Sequence, residues 1–219
     1  MKGFLKKDLA LLRNTGKVYF AVVGMGIILG LVNKEMRSFS SSFIMIMLAL
    51  TGVSTLSYDD FENGMPFLMS LPVSRKTYVK EKYLLCFLAG IVGLIISAIL
   101  GIVIFKMPLI QGEEPLLFVF PVYFAVAEIM TAVMIPTRIK FGPERSRIVG
   151  IGLVIAVFLV IFCIGYFLKQ FSVDTDALIR AAQENISGLA IVLGMIAFYI
   201  VIMLISYMFS VTVLEKKEF

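Results

Sequence analysis

Residues 83–105 read YLLCFLAGIVGLIISAILGIVIF, a run of 23 residues without a charged side chain. A helix of about 20 apolar residues crosses the roughly 30 Å hydrocarbon core of a bilayer. The run therefore predicts a transmembrane helix, Tyr83–Phe105. The composition of all 219 residues agrees with this prediction, because 60% of them are hydrophobic and 16% are charged, against about 45–50% and 25% in soluble domains.

Five other apolar stretches are long enough to cross a bilayer with help from their flanking residues. Together with the first, they predict an all-α integral membrane protein with six transmembrane helices in one domain, residues 1–219. An even number of spans places both termini on the same side. The six predicted spans are Val18–Val32, Phe39–Tyr58, Tyr83–Phe105, Leu116–Thr137, Ile148–Leu168 and Ser187–Leu214.

Lysine and arginine are distributed unevenly over the segments between these spans. If the N-terminus is cytoplasmic, the inside segments hold 15 of the 20 Lys and Arg residues and the outside segments hold 5. Cytoplasmic loops of membrane proteins carry an excess of these two residue types. We therefore predict that both termini are cytoplasmic.

Several classes of function are excluded by what the sequence lacks. It contains no histidine, which excludes Ser-His-Asp and Cys-His catalysis and histidine metal motifs. It contains no GxxxxGK[ST] string, the motif that binds nucleotide phosphates. Cys86 and Cys163 lie in apolar runs and are interpreted as small buried hydrophobic residues. We therefore expect a protein that is not an enzyme and binds no metal, cofactor or nucleic acid.

The first 16 residues have the pattern of an amphipathic helix. Leucines recur at i, i+4 and i+7, and basic residues occupy other faces, which is typical of a helix that lies in the membrane interface. We predict such an elbow helix over residues 1–16; the alternative is a charged leader that only fixes topology. The residues of the pattern are Leu5, Leu9, Leu12, Lys6, Lys7 and Arg13.

The connection between the second and third spans, residues 59–82, combines charged ends with an apolar middle. Its acidic residues come first and its basic residues last, and an apolar cytoplasmic segment between them needs a cover: membrane, the protein's own helices or a partner. Ser74 is expected to cap a helix that starts at Arg75 and runs into the third span. The apolar residues are Phe61, Met65, Phe67, Leu68, Met69 and Leu71.

The third span also has a small residue at every fourth position: Ala89, Gly93, Ser97 and Gly101. Small residues on one face let helix backbones approach closely in membranes. The spacing predicts tight packing of this face, within one subunit or between two.

Glu128 is the ionisable residue that lies deep in a predicted span. An ionised carboxylate in hydrocarbon costs several kcal/mol, so the group must be neutral, paired or hydrated. Two interpretations stay open: a position on a substrate or proton pathway, or a structural hydrogen bond to a neighbouring helix. The first would suit an autonomous secondary transporter or channel. An intramembrane enzyme is disfavoured because no pair of aspartates lies inside the spans.

Three stretches carry a resemblance to a known family: MKGFLKKDL at residues 1–9, SYDDFEN at 57–63 and SLPVSRKTYVKEKYL at 70–84. With the six-span topology, the chain resembles the permease subunits of bacterial type 2 ATP-binding-cassette (ABC) exporters. The resemblance implies a bacterial cytoplasmic-membrane protein that forms a translocation pathway as a dimer with itself or a related permease. It also implies a separate cytoplasmic ATPase that binds the ATP and Mg²⁺, and export of a peptide or other amphipathic compound.

The resemblance further assigns residues to roles. Residues 1–16 would be the elbow helix, and a coupling helix within Asp59–Leu71 would dock into the ATPase. An outer segment at Asp174–Asn185 would be re-entrant or interfacial. The expected apolar contacts with the ATPase are Phe61, Met65, Phe67 and Leu68, and the expected polar rim is Asp59, Asp60 and Glu62.

Overall fold

A computed structural model describes residues 2–61, 64–70, 72–109, 116–170 and 188–217. Within these ranges all regular structure is helical. The predicted segment Asp174–Asn185 and the predicted rim residue Glu62 lie outside the described residues. The helices are α1 (Lys2–Asn14), α2 (Gly16–Val32), α3 (Met36–Asp60), α4 (Gly64–Ser70), α5 (Arg75–Val103), α6 (Leu116–Gln170) and α7 (Gly188–Glu215).

The chain bends by 58° between α1 and α2. Thr15 stands at this bend, and its hydroxyl donates a 3.0 Å hydrogen bond to the carbonyl of Leu12. Phe4 and Asp8 on α1 are buried, and Leu9 is half exposed. The first 16 residues thus contain a helix that lies at an angle to the next one, and the interfacial position of this helix stays a prediction.

Helix α3 is the centre of the bundle and packs against α2, α5 and α6. It approaches α5 closely at Gly52, where an added Cβ would lie 2.8 Å from the Cα of Cys86. Two and three turns further along α5, Gly93 and Ser97 also face α3, and the Ser97 hydroxyl donates a 3.1 Å hydrogen bond to the carbonyl of Ser41. The side chains of these small residues let two long helices run nearly in backbone contact.

The N-terminus of α5 confirms the expected cap. Ser74 has an extended backbone, its hydroxyl accepts a 3.3 Å hydrogen bond from the amide of Thr77, and α5 begins at Arg75. The capped end satisfies an amide that the first helical turn leaves without a partner.

Helix α6 is broken at Gly142, where φ is +77° and ψ is 178°. This backbone conformation is essentially restricted to glycine. The break divides α6 into one arm before Gly142, a candidate span over Val119–Gly142, and a second arm over residues 143–170. The predicted fifth span, Ile148–Leu168, falls in the second arm, where most side chains lie outside the described part.

Four described helices are long and apolar enough to cross a membrane, and a fifth is added if the bent pair of α1 and α2 counts as one span. The four are α3, α5, the first arm of α6 and the end of α7, which correspond to the predicted second, third, fourth and sixth spans. The predicted first span is α2. An all-helical membrane protein is confirmed, with four to five candidate spans in the described residues.

Both described chain ends lie at the same end of the bundle. On α1, Lys7 contacts Asp59 at the end of α3. The guanidinium of Arg75 donates hydrogen bonds of 2.7 and 3.0 Å to the carbonyls of Leu214 and Lys217 near the C-terminus. The end of the bundle that carries α1, α4 and the end of α7 therefore also carries both termini.

Candidate functional site

Five charged side chains from three helices meet at this end of the bundle. We call them the charge cluster: Lys7 and Asp8 on α1, Asp59 on α3, and Glu81 and Lys82 on α5. Asp8, Glu81 and Lys82 are fully buried, and Asp59 is almost so. Buried charges are costly unless they are paired, so the position of each residue depends on the others.

Lys82 is at the centre of the charge cluster. Its ammonium lies 2.7 Å from Asp59 Oδ2 and also contacts Asp8 Oδ2. It donates a 3.1 Å hydrogen bond to the hydroxyl of Thr55 and lies 5.3 Å from the ring centre of Tyr78. A single cation thus joins α1, α3 and α5.

Asp59 accepts contacts from three directions. Lys7 contacts its Oδ1 atom, and the hydroxyl of Tyr78 donates a 2.9 Å hydrogen bond to its Oδ2 atom, which also faces Lys82. Lys7 lies 3.0 Å from Asp8 Oδ1 as well. The two lysines are therefore each shared between the same two aspartates, so removing one member leaves the others still partly paired.

Glu81 is the less satisfied member of the charge cluster. Its Oε2 atom lies 3.9 Å from the ammonium of Lys82. Neither of its carboxylate oxygens has a hydrogen bond to a described residue. With Glu81 included, the charge cluster contains three carboxyl groups and two cations, so its carboxyl groups outnumber its cations.

Helix α4 sits beside the charge cluster with one face inward and one face outward. Met65 and Leu68, three residues apart, are buried in the same apolar core as Tyr78. Phe67 is 67% exposed, and Phe61, just before α4, is 70% exposed. The buried pair holds α4 on the bundle and leaves two large aromatic rings uncovered.

Glu128 is fully buried in the first arm of α6. Its Oε2 atom accepts a 3.3 Å hydrogen bond from the hydroxyl of Tyr199 on α7 and lies 3.5 Å from the hydroxyl of Thr131. Its Oε1 atom has no hydrogen-bond partner among the described residues and lies where a Cβ on Gly90 of α5 would be. The carboxyl group is therefore enclosed between α5, α6 and α7.

Within the described ranges, no group of three acidic or cysteine residues is placed to hold a metal ion. A family model described as "ABC-2 family transporter protein" matches residues 3–215. The chain belongs to this family. As an ABC-2 protein it is a multi-pass membrane component of a transporter, and the resemblance to type 2 ABC permeases is confirmed. Neither curated proteins nor solved structures give a match.

The structure of this ABC-2 protein separates the residues that the resemblance assigned to ATPase contact. Phe61 and Phe67 are exposed, whereas Met65, Leu68 and Asp59 are buried in the isolated chain. Asp60 is partly buried. The docking role of these six residues stays a prediction, and in this conformation the two phenylalanines are the exposed ones among them.

The small residues of α5 in the ABC-2 protein face two different neighbours. Gly93 and Ser97 face α3, while an added Cβ on Gly101 would lie 3.2 Å from the Phe120 ring of α6. Ala89 is half-buried. The described contacts of this face are therefore made within one subunit.

Sequence reasoning missed four of the five residues of the charge cluster. Lys7 was placed on the polar face of the elbow helix, Lys82 was counted among the inside basic residues, and Asp8 and Glu81 received no role. One signal was present: Asp8 is the only acidic residue before Glu35 and stands among lysines in the leader. The pairing partners, however, lie more than 50 residues away along the chain, and one sequence does not reveal such pairs.

Proposed function

We propose that this ABC-2 protein is the permease subunit of a bacterial exporter driven by a separate cytoplasmic ATPase. Both termini are cytoplasmic, residues 1–16 form an interfacial elbow, and six spans cross the cytoplasmic membrane. The ATPase binds ATP and Mg²⁺, and the permease contributes no chemistry of its own.

The observation that carries the proposal is a pair of exposed aromatic rings, one on α4 and one just before it. Phe61 and Phe67 are 70% and 67% exposed at the end of the bundle that carries both termini. The same end carries the basic residues Lys76, Lys80 and Lys140 on its surface, as expected of a cytoplasmic side. Large aromatic side chains are the groups that most often anchor protein interfaces.

We expect Phe67→Asp, alone and with Phe61→Asp, to abolish co-purification of the ATPase. Loss of an aromatic anchor costs at least about 2 kcal/mol of binding, or roughly 30-fold in affinity, and an added charge at the centre of an apolar contact costs more. The measurement is the amount of ATPase retained on the affinity-purified permease, with ATP hydrolysis by the complex as the second readout.

Two variants control for this experiment. Phe67→Leu keeps an apolar side chain and should retain most of the ATPase. Phe39→Asp removes an exposed phenylalanine from the opposite end of α3, beyond the reach of a cytoplasmic ATPase, and should leave retention unchanged. Full retention of an active ATPase by the Phe61→Asp/Phe67→Asp variant would refute the docking assignment.

Pairing with a second permease completes the proposed pathway. Exposed apolar side chains cover the outer faces of α5 and α7, and lipid or a second permease has to cover them. We propose a dimer with the same or a related chain, and a peptide or other amphipathic compound as the substrate, which suits a pathway between apolar helices. The exposed side chains include Val92, Ile95, Ile99, Val201, Leu204 and Met208.

We further propose that Glu128 lines the pathway once α7 moves away from it. Two observations support this role: among the described residues the Oε1 atom has no hydrogen-bond partner, and Tyr199 of α7 donates a hydrogen bond to Oε2. Glu128→Gln keeps the size of the side chain and an acceptor for Tyr199. We expect Glu128→Gln to change transport of a fluorescent amphipathic peptide into inverted vesicles at least about tenfold, because ionisable residues inside membranes usually lie on substrate or proton pathways.

The yield of folded, dimeric Glu128→Gln protein on gel filtration is the control for this prediction. An unchanged yield with changed transport supports a pathway residue, and a lost yield with unchanged specific transport supports a structural hydrogen bond. Peptide transport by the purified chain with an ion gradient and no ATP would instead favour an autonomous secondary transporter that uses Glu128.

A further inference from the structure

Charged side chains join the two helices that flank α4. The chain leaves the bundle after Asp59 and returns at Arg75. We call residues 60–74 the α4 segment, and we call the two helix ends that flank it, the end of α3 and the start of α5, its base. Asp59 lies 2.7 Å from the ammonium of Lys82 and accepts a 2.9 Å hydrogen bond from Tyr78. These contacts tie the end of α3 to Tyr78 and Lys82 on the first two turns of α5, on the two sides of the α4 segment.

Without this tie, α4 would be able to move without moving α3 and α5. Phe61 at its start and residues 73–74 at its end have non-helical backbone conformations. A few residues at the ends of helices can absorb a displacement by changing their backbone angles. Force on α4 would then move α4 alone, unless another contact transmits it.

Two further contacts of the charge cluster join α1, the proposed elbow helix, to α3 and α5. Lys82 contacts Asp8 of α1, and Lys7 of α1 contacts Asp59 of α3. Asp8, Asp59 and Lys82 are buried, whereas the side chain of Lys7 is 32% exposed. Electrostatic interactions between buried groups are stronger than in water, and a buried charge is costly without a partner. Ion pairing therefore favours the arrangement in which the three helix ends stay together.

We propose that Lys82 is a positioning residue that locks the ends of α1, α3 and α5 around the base of the α4 segment, so that displacement of α4 moves these helices as one body. The proposal rests on the proposed function, because the displacement is attributed to the docked ATPase. Lys82 touches neither the ATPase nor the substrate, and it acts through Asp59 and Asp8.

Two double variants separate the tie at the base from the rest of the charge cluster. Asp59→Asn/Lys82→Met opens the base and leaves Lys7 paired with Asp8 at 3.0 Å. Lys7→Met/Asp8→Asn leaves the base closed, with Lys82 still 2.7 Å from Asp59. Each variant removes one positive and one negative charge, so the two are matched in net charge and in the number of ion-pair partners removed.

The readout is a distance change inside the permease in its complex with the co-purified ATPase. Spin labels replace Val32 and Val103, exposed residues at the far ends of α2 and α5, in a Cys86→Ala/Cys163→Ala background. Pulsed electron spin resonance records the distance between them with and without ATP plus vanadate. ATPase retention and ATP hydrolysis are measured on the same samples.

We expect ATP and vanadate to shift the distance in the native-sequence complex and in Lys7→Met/Asp8→Asn. In Asp59→Asn/Lys82→Met, the ratio of shifted to unshifted complexes, counted only among permeases that retain the ATPase, should fall about tenfold, within the range of mutations that break a coupling network. A purely structural role would lower ATPase retention and leave this ratio unchanged.

Three results would overturn the proposal: a native-size shift in Asp59→Asn/Lys82→Met, an equal loss in both double variants, or a docked, active native complex without any shift. If the double variant does not fold, Asp59→Asn alone replaces it, because both lysines then keep Asp8 as a partner; an undiminished shift there overturns the proposal too. Failure of the native chain to retain an ATPase refutes the proposed function itself and is recognised before any labelling.

Discussion

Replacing Lys82 by methionine is expected to lower the free energy of unfolding by about 3–5 kcal/mol, the typical cost of removing one partner from a buried ion pair. The methionine side chain fills a similar volume, so the loss comes from the carboxylates of Asp8 and Asp59. Lys7 is then the one cation of the charge cluster left to pair with both, and Tyr78 still donates its hydrogen bond to Asp59. The hydroxyl of Thr55 loses a partner as well. Unfolding in mixed SDS micelles, followed by far-ultraviolet circular dichroism, measures the change.

Lys80 provides the matched control, because it is a lysine on the same helix with an exposed side chain. Lys80→Met should change the free energy of unfolding by less than about 0.5 kcal/mol, as surface substitutions usually do. Asp59→Asn/Lys82→Met should be more stable than Lys82→Met alone, since it removes the orphaned charge together with its partner. Equal stabilities of Lys82→Met and Lys80→Met would show that the charge cluster contributes little to folding.

The sequence was sufficient for the four described helices that are long and apolar enough to cross a membrane. The uncharged run at residues 83–105 predicted the third span because a helix is the way an apolar segment satisfies its backbone groups in lipid. The capping side chain of Ser74 also fixed where α5 begins, eight residues before the apolar run. These features are local, and local chemistry determines them.

The charge cluster could not be predicted from the sequence, because hydropathy rules treat Lys7 and Lys82 alike, as residues that stay in water. The structure buries Lys82 completely, although its neighbour Lys80 is exposed. The difference depends on which helix packs over each side chain, and that in turn depends on contacts between residues far apart in the chain. The same reasoning applies to Asp59, which the resemblance assigned to an exposed rim and which α1 and α5 enclose.

Gly52→Ala is expected to destabilise the bundle by about 1–3 kcal/mol, the usual cost of forcing an extra methyl group into a packed core. The added Cβ would lie 2.8 Å from the Cα of Cys86 and 2.9 Å from its sulfur. Because one of these atoms belongs to the backbone, a change of side-chain rotamer does not relieve the contact, and α3 and α5 have to separate. Gly24→Ala, at a helical glycine with nothing within 4 Å, is the control and should have little effect.

Gly52→Ala should also weaken the charge cluster, because the close approach of α3 and α5 brings its members together. Thr55 and Asp59 follow Gly52 by one and two turns on α3, and Lys82 precedes Cys86 by one turn on α5. Separation of the helices lengthens the contacts from Lys82 to Thr55 and Asp59. Gly52→Ala alone therefore already removes part of the stabilisation that Lys82→Met removes. The destabilisation of Gly52→Ala/Lys82→Met should therefore be less than the sum of the single effects by about 0.5–3 kcal/mol. Strict additivity would mean that the glycine contact and the charge cluster hold the two helices independently.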